Sequence, residues 1–113
     1  MDTAKNTAAP TVNASPKSGV YVRGHVISNR VNAFRRKDGS GMLIKVQHEI
    51  ALQPGVAIWE RYFDPRSDRE VKFDGEKVTE FPQLPEFQPI SLRAERFKAD
   101  GEKLIVTMGI LIS

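Results

Sequence analysis

The 113-residue sequence predicts a single all-β domain, a small barrel or sandwich. Apolar and polar residues alternate over several short segments, which is the pattern of half-buried strands. Turn signals containing glycine separate these segments at hairpin spacing. Helix has little room, because Pro82, Pro85 and Pro89 remove backbone donors from residues 81–89 and disfavour helical neighbours. We expect that segment to be an extended, irregular connection.

The first two strands are predicted on either side of a turn at Asp38-Gly39, a strong hairpin signal. In the first strand, valines alternate with Tyr21, Arg23 and His25. Gly24 interrupts the pattern, which usually marks a bulge or a sharp bend. The second strand is expected to carry one apolar face, made of Met42, Ile44, Val46, Ile50 and Leu52.

The remaining strands follow three further turn signals. A Pro-Gly turn precedes a strand predicted over residues 56–63. Residues 71–73 and 77–79 flank an Asp-Gly turn and predict a short hairpin. Residues 90–97 and 104–112 flank a second Asp-Gly turn and predict the last hairpin.

The last strand is apolar on both sides. Because a one-layer domain cannot readily cover both sides, we expect an interface there, and a two-fold homodimer is the commonest closed arrangement. The alternative is that Ile105 and Leu111 pack under residues 81–89 of the same chain. The predicted interface face consists of Leu104, Val106, Met108, Ile110 and Ile112.

Charge is segregated along the chain, although the whole chain carries only +3. Residues 1–18 carry +1, residues 19–48 carry +5, and residues 49–113 carry −3. A local positive field can concentrate a polyanion even when the net charge is small. The alternative is a charged hairpin that only guards the sheet against aggregation.

The N-terminal residues 1–18 are rich in Ala, Thr, Asn, Pro and Ser and lack the apolar core of a signal peptide. We expect a flexible tail there and a folded domain over residues 19–113. The chain has no cysteine, which excludes disulfides and thiolate metal sites and suits the cytoplasm. No apolar run approaches the ~20 residues of a membrane helix, so no membrane association is expected.

Catalytic motifs are missing from the sequence. His25 and His48 are the only histidines, and no metal-ligand spacing surrounds them. Asp64, Asp68 and Glu70 could hold a divalent ion, but two arginines interleave with them, which favours a self-neutralising loop. There is no glycine-rich phosphate loop and no nucleophile motif. We therefore expect no enzyme, no metal, no cofactor and no small-molecule substrate.

Aromatic and basic residues together indicate single-stranded nucleic acid as the partner. Cations follow the phosphates, while flat rings stack on bases with little regard to base identity. Phe73, Phe81 and Phe87 are expected in the core, and Trp59 is alternatively a core residue. The candidate contact residues on this pattern are Tyr21, Arg23, Phe34, Arg35, Arg36, Lys37, Lys45, Trp59 and Arg61.

Two segments carry a family resemblance: "AFRRKDGSGMLIKVQHEI" at 33–50 and "RAERFKADGEKLIVTMGILI" at 93–112. Residues 19–112 resemble the gene-five single-stranded DNA-binding proteins of filamentous phages and, more broadly, OB-fold binders. The resemblance implies a five-stranded OB-like barrel with a protruding basic β-hairpin. It also implies a homodimer that coats single-stranded DNA during phage or plasmid replication, with Phe97 as an additional stacking residue.

The chain also departs from that family. It has an additional N-terminal tail, a charged insertion around residues 64–80, and few of the family's stacking tyrosines. Two other functions therefore stay open. One is a structural or assembly β-domain of a phage that binds no nucleic acid, and the other is an RNA-binding OB module.

Overall fold

The computed structural model describes residues 20–112, and the predicted tail at 1–18 lies outside them. The described residues form seven strands and no helix, so the all-β prediction is confirmed. Residues 81–88 form neither helix nor strand, as expected from their prolines. The strands are β1 (Val20–Arg35), β2 (Met42–Ala51), β3 (Val56–Phe63), β4 (Lys72–Phe73), β5 (Val78–Glu80), β6 (Pro89–Asp100) and β7 (Lys103–Leu111).

Five of these strands close a barrel in the order β1-β2-β3-β7-β6, and β4 and β5 form a separate hairpin. Neighbouring strands are antiparallel except β3 and β7, which run parallel from Val56–Lys103 to Trp59–Val106. A five-stranded barrel with this order is OB-like, as predicted. Of the two predicted architectures, barrel and sandwich, the fold is therefore a barrel.

Strand β1 bends so that it can pair with two neighbours. Residues 20–25 pair with β6, whereas residues 25–35 pair with β2, and the register shifts between Val26 and Ser28. At Gly24 the end of β2 approaches so closely that a Cβ atom would lie 2.0 Å from the Ala51 carbonyl oxygen. Glycine is needed at this corner because any side chain would collide with backbone.

Two apolar clusters fill the inner side of the sheet. The first lies within the barrel and includes Trp59, Leu92 and Val106. The second lies where β1, β2 and β3 continue past the barrel, and it joins Ile44 and Phe63 to the β4–β5 hairpin. Since β1 and β2 pair up to Arg35–Met42 and β3 ends opposite Ile44, only the hairpin tip projects beyond the third strand.

The last strand differs from its prediction. Leu104 and Val106 pack into the barrel core, whereas Met108 and Ile110 are exposed. The β6–β7 register shifts on both sides of Arg96, which places the two halves of the apolar row in different environments. The prediction of one continuous apolar face is therefore wrong. Leu111 borders an apolar cavity of about 190 Å³ beside residues 84–85, in part as the alternative expected.

Candidate nucleic-acid interface

The β1–β2–β3 sheet has an outer face that is open to solvent. Along β2, the side chains of Ile44, Val46, His48 and Ile50 are buried, so the intervening residues point outward. Register places Asn32, Lys45 and Tyr62 side by side across the three strands, and Phe34 opposite Leu43. We refer to these five residues, Asn32, Phe34, Leu43, Lys45 and Tyr62, as the outer face.

Two aromatic rings meet on the outer face. The ring centroids of Phe34 and Tyr62 are 6.3 Å apart with an interplanar angle of 88°. Phe34 is 39% exposed and Tyr62 is 50% exposed, so each ring keeps surface available to a ligand. Burial and the neighbouring Glu60 carboxylate raise the pKa of the Tyr62 phenol above its ordinary value. Tyr62 was not among the residues predicted from the sequence, although its alternation with the buried Phe63 was the available signal.

The basic hairpin ends in an ordered turn at the predicted Asp38-Gly39 position. The Gly39 amide donates to the Arg36 carbonyl, and Gly39 adopts a φ of 75°, which costs glycine little. The Asp38 carboxylate accepts from the Ser40 amide at 2.9 Å. Hydrogen bonds from Ser40 lower the pKa of Asp38, so this carboxylate stays ionised at the tip.

The three hairpin cations are not equivalent. Arg36 pairs with Asp64 at 3.3 Å, and Asp64 also pairs with Arg66, as expected for a self-neutralising loop. Hydrogen bonds from Arg66 lower the pKa of Asp64. Arg35 and Lys37 are exposed and form no ion pair within residues 20–112. Arg36 therefore contacts the 64–70 loop, and its contact with nucleic acid stays a prediction.

Charge on the sheet surface is polarised toward the hairpin. Nearer the middle of β1 and β2, Arg30 lies 3.8 Å from Glu49, and the Gln47 amide donates to Glu60 at 2.9 Å. The Arg30–Glu49 ion pair offsets charge locally. The exposed cations Arg35 and Lys37 therefore dominate the hairpin end of the sheet.

Trp59 and Arg61 face inward, which makes their assignment as nucleic-acid contacts wrong. Trp59 is 4% exposed, and the Arg61 guanidinium carbon lies 4.1 Å from its ring centroid. Arg61 and Phe63 share this inner face with Trp59 because β3 alternates with a period of two. The predicted grouping on one face is correct, but that face covers the core.

A buried polar network surrounds Arg61. Its terminal nitrogen donates to Nε2 of His48 at 2.8 Å, so the His48 proton lies on Nδ1 and is donated to the Asn29 side-chain oxygen at 2.8 Å. Asn29 in turn bonds both the amide and the carbonyl of Leu84. Burial, followed by the Arg61 charge, lowers the pKa of His48 from 6.5 to about 4. This neutral histidine ties β1, β2, β3 and the proline-rich segment together.

The other predicted contacts lie elsewhere. Tyr21 and Arg23 are exposed on the part of β1 that pairs with β6, and Arg23 is about 35 Å along the strand from Phe34 at ~3.3 Å per residue. Phe97 is 46% exposed near the β6–β7 turn. Phe34, Lys45 and the newly found Tyr62 therefore share the outer face, and Arg35 and Lys37 lie at the adjoining end of the hairpin.

Residues 20–112 contain no group of three or more His, Asp or Glu side chains placed to hold a metal ion. The same residues include no helix that could cross a lipid bilayer. Comparison of the chain with protein-family models, with curated proteins and with solved structures finds no match. The geometry of the outer face is thus the basis for assigning a function.

Proposed function

We propose that this protein binds single-stranded DNA, without preference for sequence, on the outer face and the adjoining hairpin tip. The observation that carries the proposal is the exposed Phe34–Tyr62 ring pair, which lies beside Lys45 and near two cations that lack an ion pair within the described chain. Proteins that bind single-stranded nucleic acid commonly combine flat aromatic rings with adjacent cations.

Ring stacking and phosphate contacts contribute separately to DNA binding. Each ring that stacks on a base contributes roughly 1–3 kcal/mol, whatever the base. Arg35, Lys37 and Lys45 would neutralise phosphates on either side of the stacked bases. The exposed sheet surface of β2 and β3 is also where OB-folds bind oligonucleotides.

Single strands suit this surface better than duplex. In a duplex, the bases already stack on one another and their flat faces are unavailable to side chains. A duplex could therefore use only the cations of the hairpin, and it would lose the stacking contribution of Phe34 and Tyr62. The same argument leaves single-stranded RNA as a competitor, which differs by its 2′-hydroxyl.

Assembly as a homodimer belongs to the same proposal. Met108, Ile110 and Ile112 are 48%, 45% and 44% exposed and follow one another at two-residue spacing. A two-fold contact through this patch would cover it and place two outer faces on one particle. Two linked sites raise apparent affinity through effective concentration. Such a particle suits the coating of DNA during phage or plasmid replication in the cytoplasm.

The test is a fluorescence-anisotropy titration of the full chain with single-stranded DNA, duplex DNA and single-stranded RNA over a range of salt concentrations. We expect the tightest binding to single-stranded DNA and equal affinity for different base compositions. The logarithm of the binding constant should fall by roughly 0.7 per neutralised phosphate for each tenfold rise in salt concentration, and we call this dependence the salt slope. Equal or tighter binding to duplex would overturn the proposal. The lack of any binding at low salt would favour a structural β-domain, and tighter RNA binding would favour an RNA module.

A further inference from the structure

Phe87 is the most exposed of the large apolar side chains in residues 20–112, at 71%. The expectation that it belongs to the core is wrong. Its φ is 64°, a conformation that bulky side chains rarely adopt. Two backbone hydrogen bonds hold it there: the Phe87 amide donates to Val26 at 2.6 Å, and the Val26 amide donates to Gln88 at 3.1 Å. The fold thus displays this ring in water, and such unusual residues cluster at ligand-binding positions.

A cleft with both polar and apolar walls opens near this turn. Its volume is about 470 Å³, within the range of small-molecule sites, and Pro89 forms part of its wall two residues after Phe87. The polar side chains lining it are Arg23, His25, Gln53 and Ser91, and none of its lining residues is acidic. By contrast, the cleft beside the 64–70 loop has both acidic and basic lining residues. A cleft lined by Arg23 and by no carboxylate is suited to an anion.

We propose that Phe87 and this cleft form a second nucleotide subsite, in which the ring stacks on a base and Arg23 contacts the neighbouring phosphate. The inference rests on the proposed single-stranded DNA binding, and it names where a bound strand is held away from the outer face. It also assigns a phosphate contact to Arg23, which lies outside the outer face. Since Ile112 donates to the Ser91 carbonyl, the cleft opens at the edge of the apolar patch, so a dimer would carry two such subsites.

The experiment measures binding of a thymidine oligonucleotide longer than the roughly 4–16 nucleotides that one OB domain covers. Loss of one stacked base in Phe87→Ala should weaken binding by roughly 5- to 140-fold. Phe87→Leu keeps apolar area without a flat ring and should weaken binding similarly, whereas Phe87→Tyr should retain it. Arg23→Gln should weaken binding and lower the salt slope by roughly 0.7. Because both side chains are exposed, these variants should fold, which circular dichroism checks.

Fluorescence provides an independent readout. Trp59 is buried, so Phe87→Trp introduces an exposed indole whose emission should be quenched when the oligonucleotide stacks on it. Unchanged affinity in Phe87→Ala, together with weakened binding in an Arg35→Ala, Lys37→Ala variant, would overturn the subsite and leave the proposed function standing. No binding by the wild type would overturn both. A Phe87→Ala variant that loses only its dimeric mass would overturn the subsite and assign Phe87 to a protein contact.

Discussion

The rings of Phe34 and Tyr62 contact each other edge to face, across β2, on the solvent side of the sheet. An edge-to-face pair is stabilised by the ring quadrupoles, so each ring restrains the orientation of the other. Both remain substantially exposed. A ligand that stacks on them therefore meets surfaces whose orientation is already fixed, and it orders fewer side chains when it binds.

Removing either ring should weaken single-stranded DNA binding. We expect Phe34→Ala and Tyr62→Ala each to cost roughly 1–3 kcal/mol in an equilibrium titration. The double variant should lose less than the sum, because each ring positions the other. Thr107→Ala is the control, since it shortens an exposed side chain outside the outer face and should leave affinity unchanged. Equal losses in all three variants would contradict the assignment of the outer face.

The two hairpin cations should account for part of the salt dependence. Arg35→Ala combined with Lys37→Ala should lower the salt slope by roughly 1.4, or 0.7 for each lost phosphate contact. Lys72→Ala combined with Lys77→Ala removes the same charge from the separate β4–β5 hairpin and should change the slope much less. A similar change in both double variants would mean that only overall charge matters.

Sequence patterning predicted β3 to the residue but could not orient it. One face of the strand carries Trp59 and Arg61 and the other carries Glu60 and Tyr62, so both faces mix polar with aromatic groups. Because Arg61 lies on the inner face, the sequence pattern indicated that this face is exposed to solvent. Arg61 is stabilised inside by the Trp59 ring and by His48, a partner thirteen residues earlier that only strand pairing brings close.

Conformations that depend on tertiary contacts were also beyond the sequence. The positive φ of Phe87 depends on hydrogen bonds to Val26, sixty-one residues earlier, so its ring was expected in the core. The sequence did not distinguish Arg36 from its neighbours, because only the folded structure places Asp64 3.3 Å from it. By contrast, the Asp38-Gly39 turn depends on local geometry and was predicted correctly.

Substitution within the apolar patch should dissociate the proposed dimer. Ile110→Glu places a charge in the centre of the two-fold contact, and sedimentation equilibrium at micromolar concentration should then give a monomer mass. Thr107→Glu is the control, because Thr107 is exposed on the same strand outside the patch. A wild-type chain that sediments as a monomer would contradict the dimer.

Stability should fall in mild acid because of His48. Its pKa is about 4 in the folded chain and near 6.5 when unfolded, so between these values the unfolded state binds more protons. The contribution is fully present above pH 6.5 and is lost as the pH falls toward 4, amounting to about 3 kcal/mol over the interval.

Urea unfolding between pH 7 and pH 4 measures this effect as a change in the free energy of unfolding. His48→Gln should show a shallower decline than the wild type, since carboxylates titrate in both proteins and cancel in the comparison. We compare how steeply the free energy of unfolding changes with pH, and not its absolute value, because the variant also loses a buried hydrogen bond. Parallel declines in the two proteins would show that His48 protonates equally in the folded and unfolded states.

The most direct test of the central claim is a titration of the isotopically labelled full chain with a thymidine oligonucleotide, followed by amide chemical shifts. We expect saturable shifts at Phe34, Lys45, Tyr62 and the hairpin tip, which reverse when salt is raised. Asp74 and Gly75 in the β4–β5 turn, outside the outer face, should not move. Saturable binding that leaves the outer face and the hairpin unshifted would contradict the claim.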